Sequence, residues 1–314
     1  MFKRIAKFDE LTPSTLPFVE GRLEGHKERK NYSIVGPGVA EDSSQSVKIS
    51  KPHGYNLGAV SANPKNGSGL HSHTTAEVFL IYSGKWRFYW GPDGKNEIIL
   101  GKGDIISMPT NMFRGFENAG DKEGLIFVVL GNDDPGIITW VPKVLINAKE
   151  TGLALLNDNS LIDLTNSKVP ADKKLLEPIS NDQLKKFNNY NLDQIEKFIC
   201  RYDDQSNYEI DLKSGIKLIQ IIGNNFCDQN YKPLIDQDTG FNLSILKAKI
   251  GKIENLIFKK PTILFSQKGS WKINIINEEL VINAKDTFSV PINTKLSISV
   301  EGTDDCYLNC VSKI

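Results

Sequence analysis

Two histidines one residue apart, His71 and His73, are followed by Glu77 in the run GLHSHTTAEVFLIYSG, directly ahead of a β-branched and aromatic stretch. On an extended backbone alternate residues share a face, so these three side chains, all of one parity, converge on one side of a single strand. Two neutral imidazoles and a carboxylate form a facial ligand set that suits a divalent transition ion, with Fe, Mn, Ni and Zn all admitted, and leaves positions open for water or substrate. The chain has four histidines, so half of them fall in this one motif. The plain alternative is a solvated loop end with two incidental histidines, and the spacing and context favour metal. Histidine ligands must be neutral, so metal occupancy is expected to fall below about pH 6, near the ordinary histidine pKa of roughly 6.5.

Aromatic side chains gather near the motif: Phe79, Tyr82, Trp86, Phe88, Trp90, Phe113 and Phe116. Trp86, Phe88 and Trp90 alternate along one strand and read as core packing. Phe79 shares parity with Glu77 and is the better candidate for a pocket wall, with Phe116 beside it.

The elements that must hold these residues are strands. From about residue 45 to 145 short β-branched and aromatic runs (YNLGAVSA, EVFLIYSG, KWRFYW, NEIIL, GLIFVVLG) alternate with turn residues, the pattern of an all-β sandwich or barrel. Gly91-Pro92-Asp93-Gly94 predicts a hairpin, since proline presets its own φ and glycine tolerates a positive one. Between 142 and 200 the apolar spacing turns helical: Leu184, Phe187, Leu192, Ile195 and Phe198 recur at three and four, with Asn181 as the expected N-cap. Beyond it the first lobe repeats. Tyr55-Asn56-Leu57 matches Phe241-Asn242-Leu243, Gly84-Lys85-Trp86 matches Gly269-Ser270-Trp271, and Asp104 with Pro109 matches Asp286 with Pro291. The expected domains are 1–150, a partly helical linker 151–200, and 201–314.

His71, His73, Glu77 and Gly84 resemble the first motif of the cupin superfamily, and Gly103, Pro109 and Asn118 resemble its second. The likeness covers residues 45 to 135 well and 235 to 314 weakly, and the duplication makes the whole resemble a bicupin. It implies two jelly-roll barrels of the double-stranded β-helix type in tandem. Two positions depart from the family pattern: Asn111 replaces a glycine, and Arg114 stands where the family has its third histidine. A guanidinium has no lone pair to offer, so Arg114 is no ligand. It is expected either to grip a substrate carboxylate through two parallel hydrogen bonds, or to form an ion pair with Glu77 in a lobe that has lost its metal. His53 or His26 could complete the shell. In the second lobe the matching positions are Leu256, Phe258, Thr262 and Leu296, so that barrel is expected to bind no metal and to serve as structure.

Thirty-eight basic against 38 acidic residues remove the electrostatic footprint that nucleic-acid or anionic-membrane binding needs. A mean hydropathy of −0.29 and the lack of an 18-residue apolar run point to a chain outside the membrane, by default cytoplasmic. Four cysteines without a CxxC pair read as reduced thiols. The expected partner is a small-molecule ligand, a carboxylate foremost, and a homodimer stays open. The resemblance implies a metal-dependent enzyme of oxygenase type acting on a small organic acid, with isomerases and lyases using the same ligands. The alternative is a non-catalytic binding protein.

Overall fold

The computed structural model describes residues 4–42 and 44–314. The chain is all-β in its two main bodies, each a jelly-roll barrel of two sheets. In the first barrel a seven-stranded sheet runs in the order Ile199–Cys200, Ile105–Met108, Glu77–Ser83, Gly124–Gly131, Tyr55–Ala62, Arg29–Val35, Val47–Ile49. Facing it is a five-stranded sheet in the order Thr139–Trp140, Gly67–Ser72, Arg114–Asn118, Trp86–Trp90, Asn96–Leu100. The second barrel repeats the plan: Thr262–Lys268, Cys306–Lys313 and Phe241–Ala248 are adjacent in its seven-stranded sheet, as their counterparts are in the first.

Alternation decides which residues face where. Val60, Phe79, Ile81, Ile126, Val128 and Leu130 point into the first barrel. Their neighbours Leu57, Ala59, Val78, Leu80, Phe127 and Val129 point outward and pack on Ile219, Ile221, Leu243, Ile245 and Phe265 of the second. Both faces of these central strands are therefore apolar, and the two barrels share one core, with Phe127 and Phe265 at 5.2 Å between ring centroids. Polar ties cross the same face: Tyr55 donates its hydroxyl to the Val311 carbonyl at 2.7 Å, and His53 Nε2 lies 2.8 Å from Ser289 Oγ. The chain also crosses over at its edges. Ile5–Ala6 pairs with the second barrel's Thr287–Val290 sheet edge, and Ile199–Cys200 pairs with Ile105–Met108 of the first.

Trp86–Trp90 and Asn96–Leu100 pair antiparallel across the Gly91–Gly94 turn, whose two glycines both have positive φ. Gly67 has a different reason to lack a side chain, because a Cβ there would collide with the Phe116 carbonyl of the neighbouring strand. The expected helix near 181–200 is two short ones, Asn181–Leu184 and Leu192–Glu196, each opened by a capping box at Ser180 and Asn191. Asn181 is thus the first helical residue rather than the cap. The run Phe187–Asn191 leaves the helix because Asn188 N–H donates to the Asn111 carbonyl at 2.7 Å and the Tyr190 carbonyl accepts from Trp90 Nε1–H at 2.7 Å. A longer helix, Pro142–Glu150, begins on proline, whose missing N–H costs nothing in a first turn.

Candidate metal centre

His71 lies on Gly67–Ser72, opposite Arg114 on one side and Trp140 on the other. His73 follows the strand's end, where its carbonyl accepts from Asn111 N–H at 2.8 Å. The chain then bends at Thr74-Thr75 and Glu77 opens a strand of the other sheet, opposite Leu130 and Met108. The expectation of three ligands from a single strand is corrected here: the set spans both sheets, because the bend carries the chain across the barrel between His73 and Glu77. Convergence survives. One donor atom from each of His71, His73 and Glu77 lies within 4.8 Å of the others, and all three residues are buried.

The hydrogen bonds leave ring nitrogens bare. His71 Nδ1 lies 2.7 Å from the Gly69 carbonyl, which must be a donation, so Nε2 carries the lone pair. His73 is 1% exposed, yet neither ring nitrogen has a partner among the described residues, and its Nε2 sits 3.7 Å from Glu77 Oε2. A buried, unpaired imidazole costs free energy that a bound cation would recover, so the donor set fits a divalent ion. Burial, aided by the nearby Arg114 charge, pushes His71 down to about 3 and His73 well below its ordinary value. Both shifts favour the neutral rings that a metal ligand needs, and they move loss of the ligands by protonation to lower pH than an ordinary histidine would show.

Arg114 is inward and buried, but its fork is occupied. Nε and Nη2 both donate to Glu77 Oε2, at 3.0 and 2.8 Å, while Nη1 donates to the His71 and Met112 carbonyls. It stands behind Glu77 and does not line the cavity, so its expected part as a substrate clamp is corrected in favour of the ion pair. Burial pushes the Glu77 carboxyl up against the opposing pull of Arg114. Glu77 Oε1 is left over from this pairing.

The triad opens on a cavity of about 60 Å³, room for a few waters or a ligand of modest cross-section. Phe79 and Phe116 line it, their rings 5.3 Å apart, as do Val60, Val128 and Leu130. Trp86, Phe88 and Trp90 are buried core, and Phe113 packs on Phe187. Several lining residues lie outside the motifs, where spacing held no signal: Trp140, whose ring is 5.2 Å from His71, and Phe18, Ile138, Asn31 and Gln45. Glu20 braces the triad from behind, accepting from Ser68 Oγ at 2.9 Å, Gly69 N–H at 2.8 Å and Arg29 at 2.8 Å, which holds the strand that orients His71. His53 sits at the face between barrels and His26 Nδ1 lies 3.0 Å from the Gly67 carbonyl, so neither completes the shell.

In the second barrel Leu256, Phe258 and Leu296 are buried in a continuous apolar core with Trp271, Phe288 and Leu308, and Thr262 is buried with its hydroxyl donated to the Lys260 carbonyl at 2.9 Å. Among the described residues the only three-ligand cluster is the one in the first barrel.

Fold and site together define a tandem of two cupin-type jelly-roll barrels, the first bearing a candidate metal site and the second filled. Residues 59–130 match the Cupin domain family model. Similar solved structures include the formate complex of Lactobacillus farciminis oxalate decarboxylase, at 14% identity and TM-score 0.60 over 99% of this chain and 86% of that one. Bacillus subtilis oxalate decarboxylase at pH 4.6 aligns at 13% identity and TM-score 0.57, over 99% and 76%. Vicilin from Corylus avellana (hazelnut) aligns at 11% and 0.57, over 98% and 84%. At these identities the likeness is one of fold. No curated protein matches the sequence, and no helix among the described residues is long and apolar enough to cross a membrane.

Proposed function

We propose that the first barrel holds one divalent transition ion on His71, His73 and Glu77 and acts there on a small organic acid in an oxygenase-type reaction, the second barrel serving as structure. The observation that carries this reading is His73, buried with both ring nitrogens unpaired among the described residues and 3.7 Å from Glu77 Oε2. The ion, once bound, would supply Lewis acidity and open positions for dioxygen and substrate. The protein's own part is to keep both imidazoles neutral by burial, to hold Glu77 in place through Arg114, and to exclude bulk water with Phe79, Phe116 and Trp140. Oxalate decarboxylases among the similar folds lend weight to an acid as ligand. The same reading assigns the protein to the cytoplasm, with its four free cysteines reduced.

A non-catalytic binding role has its own support, because among the described residues no lysine or arginine lines the cavity and Arg114 is engaged by Glu77. The two readings part in one experiment: metal analysis of protein purified without a polyhistidine tag, followed by oxygen-electrode traces with small carboxylic acids. Near-stoichiometric Fe, Mn, Ni or Zn with acid-dependent oxygen uptake is expected. Metal without uptake favours binding alone, and metal-free protein that cannot be loaded refutes the site.

A further inference from the structure

The cavity has a second polar region, away from the triad. In the seven-stranded sheet Glu77 stands on the row through Leu130 and Asn56, whereas Asn31 stands on the row through Ile81, Ile126 and Val60. Ile81, Ile126 and Val60 pack inside the barrel, so Asn31 enters the same interior. It lies three strands across and four residues along from Glu77. At about 4.8 Å per strand and 3.3 Å per residue, that is on the order of 15 to 20 Å along the sheet.

Asn31 and Gln45 both line the cavity, and Asn31 Oδ1 and Gln45 Oε1 are buried with no partner among the described residues. The Gln45 amide has a defined sense, since Nε2 donates to the Asn31 carbonyl at 3.0 Å and the oxygen is left as the free end. Between these oxygens and the triad the lining is largely apolar, with Val60, Phe79, Phe116 and Val128, and Ser33 on that path donates its hydroxyl to the Pro37 carbonyl at 3.2 Å. An unpaired buried acceptor costs stability unless something donates to it.

We propose that the first barrel takes a ligand with two polar ends: a carboxylate at His71, His73 and Glu77, an apolar middle, and a terminal hydroxyl or N–H that donates to Gln45 and Asn31. This rests on the metal-and-acid reading above and adds the donor end to it. Omega-hydroxy carboxylic acids of medium length are the simplest members of the class.

The probes are dodecanoate against 12-hydroxydodecanoate, and decanoate against 10-hydroxydecanoate, titrated calorimetrically into the zinc-loaded full chain. In at least one pair the hydroxy acid is expected to bind about tenfold more tightly, the size of one recovered hydrogen bond to a buried group. Gln45→Met and Asn31→Leu should each bring that ratio towards one, the ratio within each variant being the readout. Zinc-dependent binding of both members of each pair with equal affinity overturns the donor end and leaves the metal-and-acid reading standing. Zinc-bound protein that takes none of the four acids overturns both.

Discussion

Replacing Arg114 by methionine removes the guanidinium from a pair that is sealed from water, since Arg114 is 1% exposed and Glu77 4%. Two charged hydrogen bonds, at 3.0 and 2.8 Å, disappear together, each worth roughly 1.5–3 kcal/mol. Breaking a buried pair from one side costs about 3–5 kcal/mol because the surviving charge is stranded. Glu77 can escape part of this by taking a proton, which burial already favours. A carboxyl with a raised folded pKa loses stability as pH rises through that pKa, so the deficit of Arg114→Met should be near 3 kcal/mol or more at pH 8 and smaller at pH 5. Urea unfolding of chelator-treated protein measures it. Zinc should then rescue the variant more than it stabilises wild type, because the ion returns a positive charge to Glu77 without competing with Arg114, and 100-fold excess over Kd adds about 2.7 kcal/mol. Glu77→Gln in the same background should erase the pH dependence. A deficit under about 1 kcal/mol, or equal gains from zinc in both proteins, would refute the paired geometry and its competition with metal.

His71→Ala should lose most bound metal in mass-spectrometric metal analysis; equal content in variant and wild type would remove the site. His73→Phe should also abolish metal binding but leave the metal-free protein as stable or up to about 1 kcal/mol more stable in urea, because an unpaired buried ring is exchanged for an apolar one. Crystals soaked in an anomalously scattering ion should show one peak per chain, inside the first barrel, and a second within residues 235–314 would contradict the filled core. Burial holds His53 below its ordinary pKa, and the neutral ring is the form that accepts from Ser289. A base depressed in the folded state stabilises above its unfolded pKa of roughly 6.5 and loses that contribution as pH falls. Unfolding free energy should therefore decline more steeply from pH 7 to 5 in wild type than in His53→Gln, by no more than about 1.4 kcal/mol per pH unit. Parallel curves would show that this ring plays no part.

What the sequence determined by itself is whatever a short stretch of chain can carry. Period-two alternation in EVFLIYSG and GLIFVVLG, the Gly-Pro-Asp-Gly turn and the repeated Asn56 and Asn242 are local signals, and they were enough to specify strands, a hairpin and two barrels. The spacing of His71, His73 and Glu77 also revealed that they meet, although for a reason that proved incomplete, since a bend and a change of sheet bring Glu77 across. Only the tertiary structure decided the rest. Arg114 meets Glu77 because strand register sets it opposite His71, 43 residues away in the chain. Trp140, Glu20, Asn31 and Gln45 reach the site through strand order, which depends on which sheets can bury both faces. Even the downward shift of the His71 and His73 pKa values, invisible in composition, comes from burial: desolvation is a property of the closed barrel and has no counterpart in any local pattern.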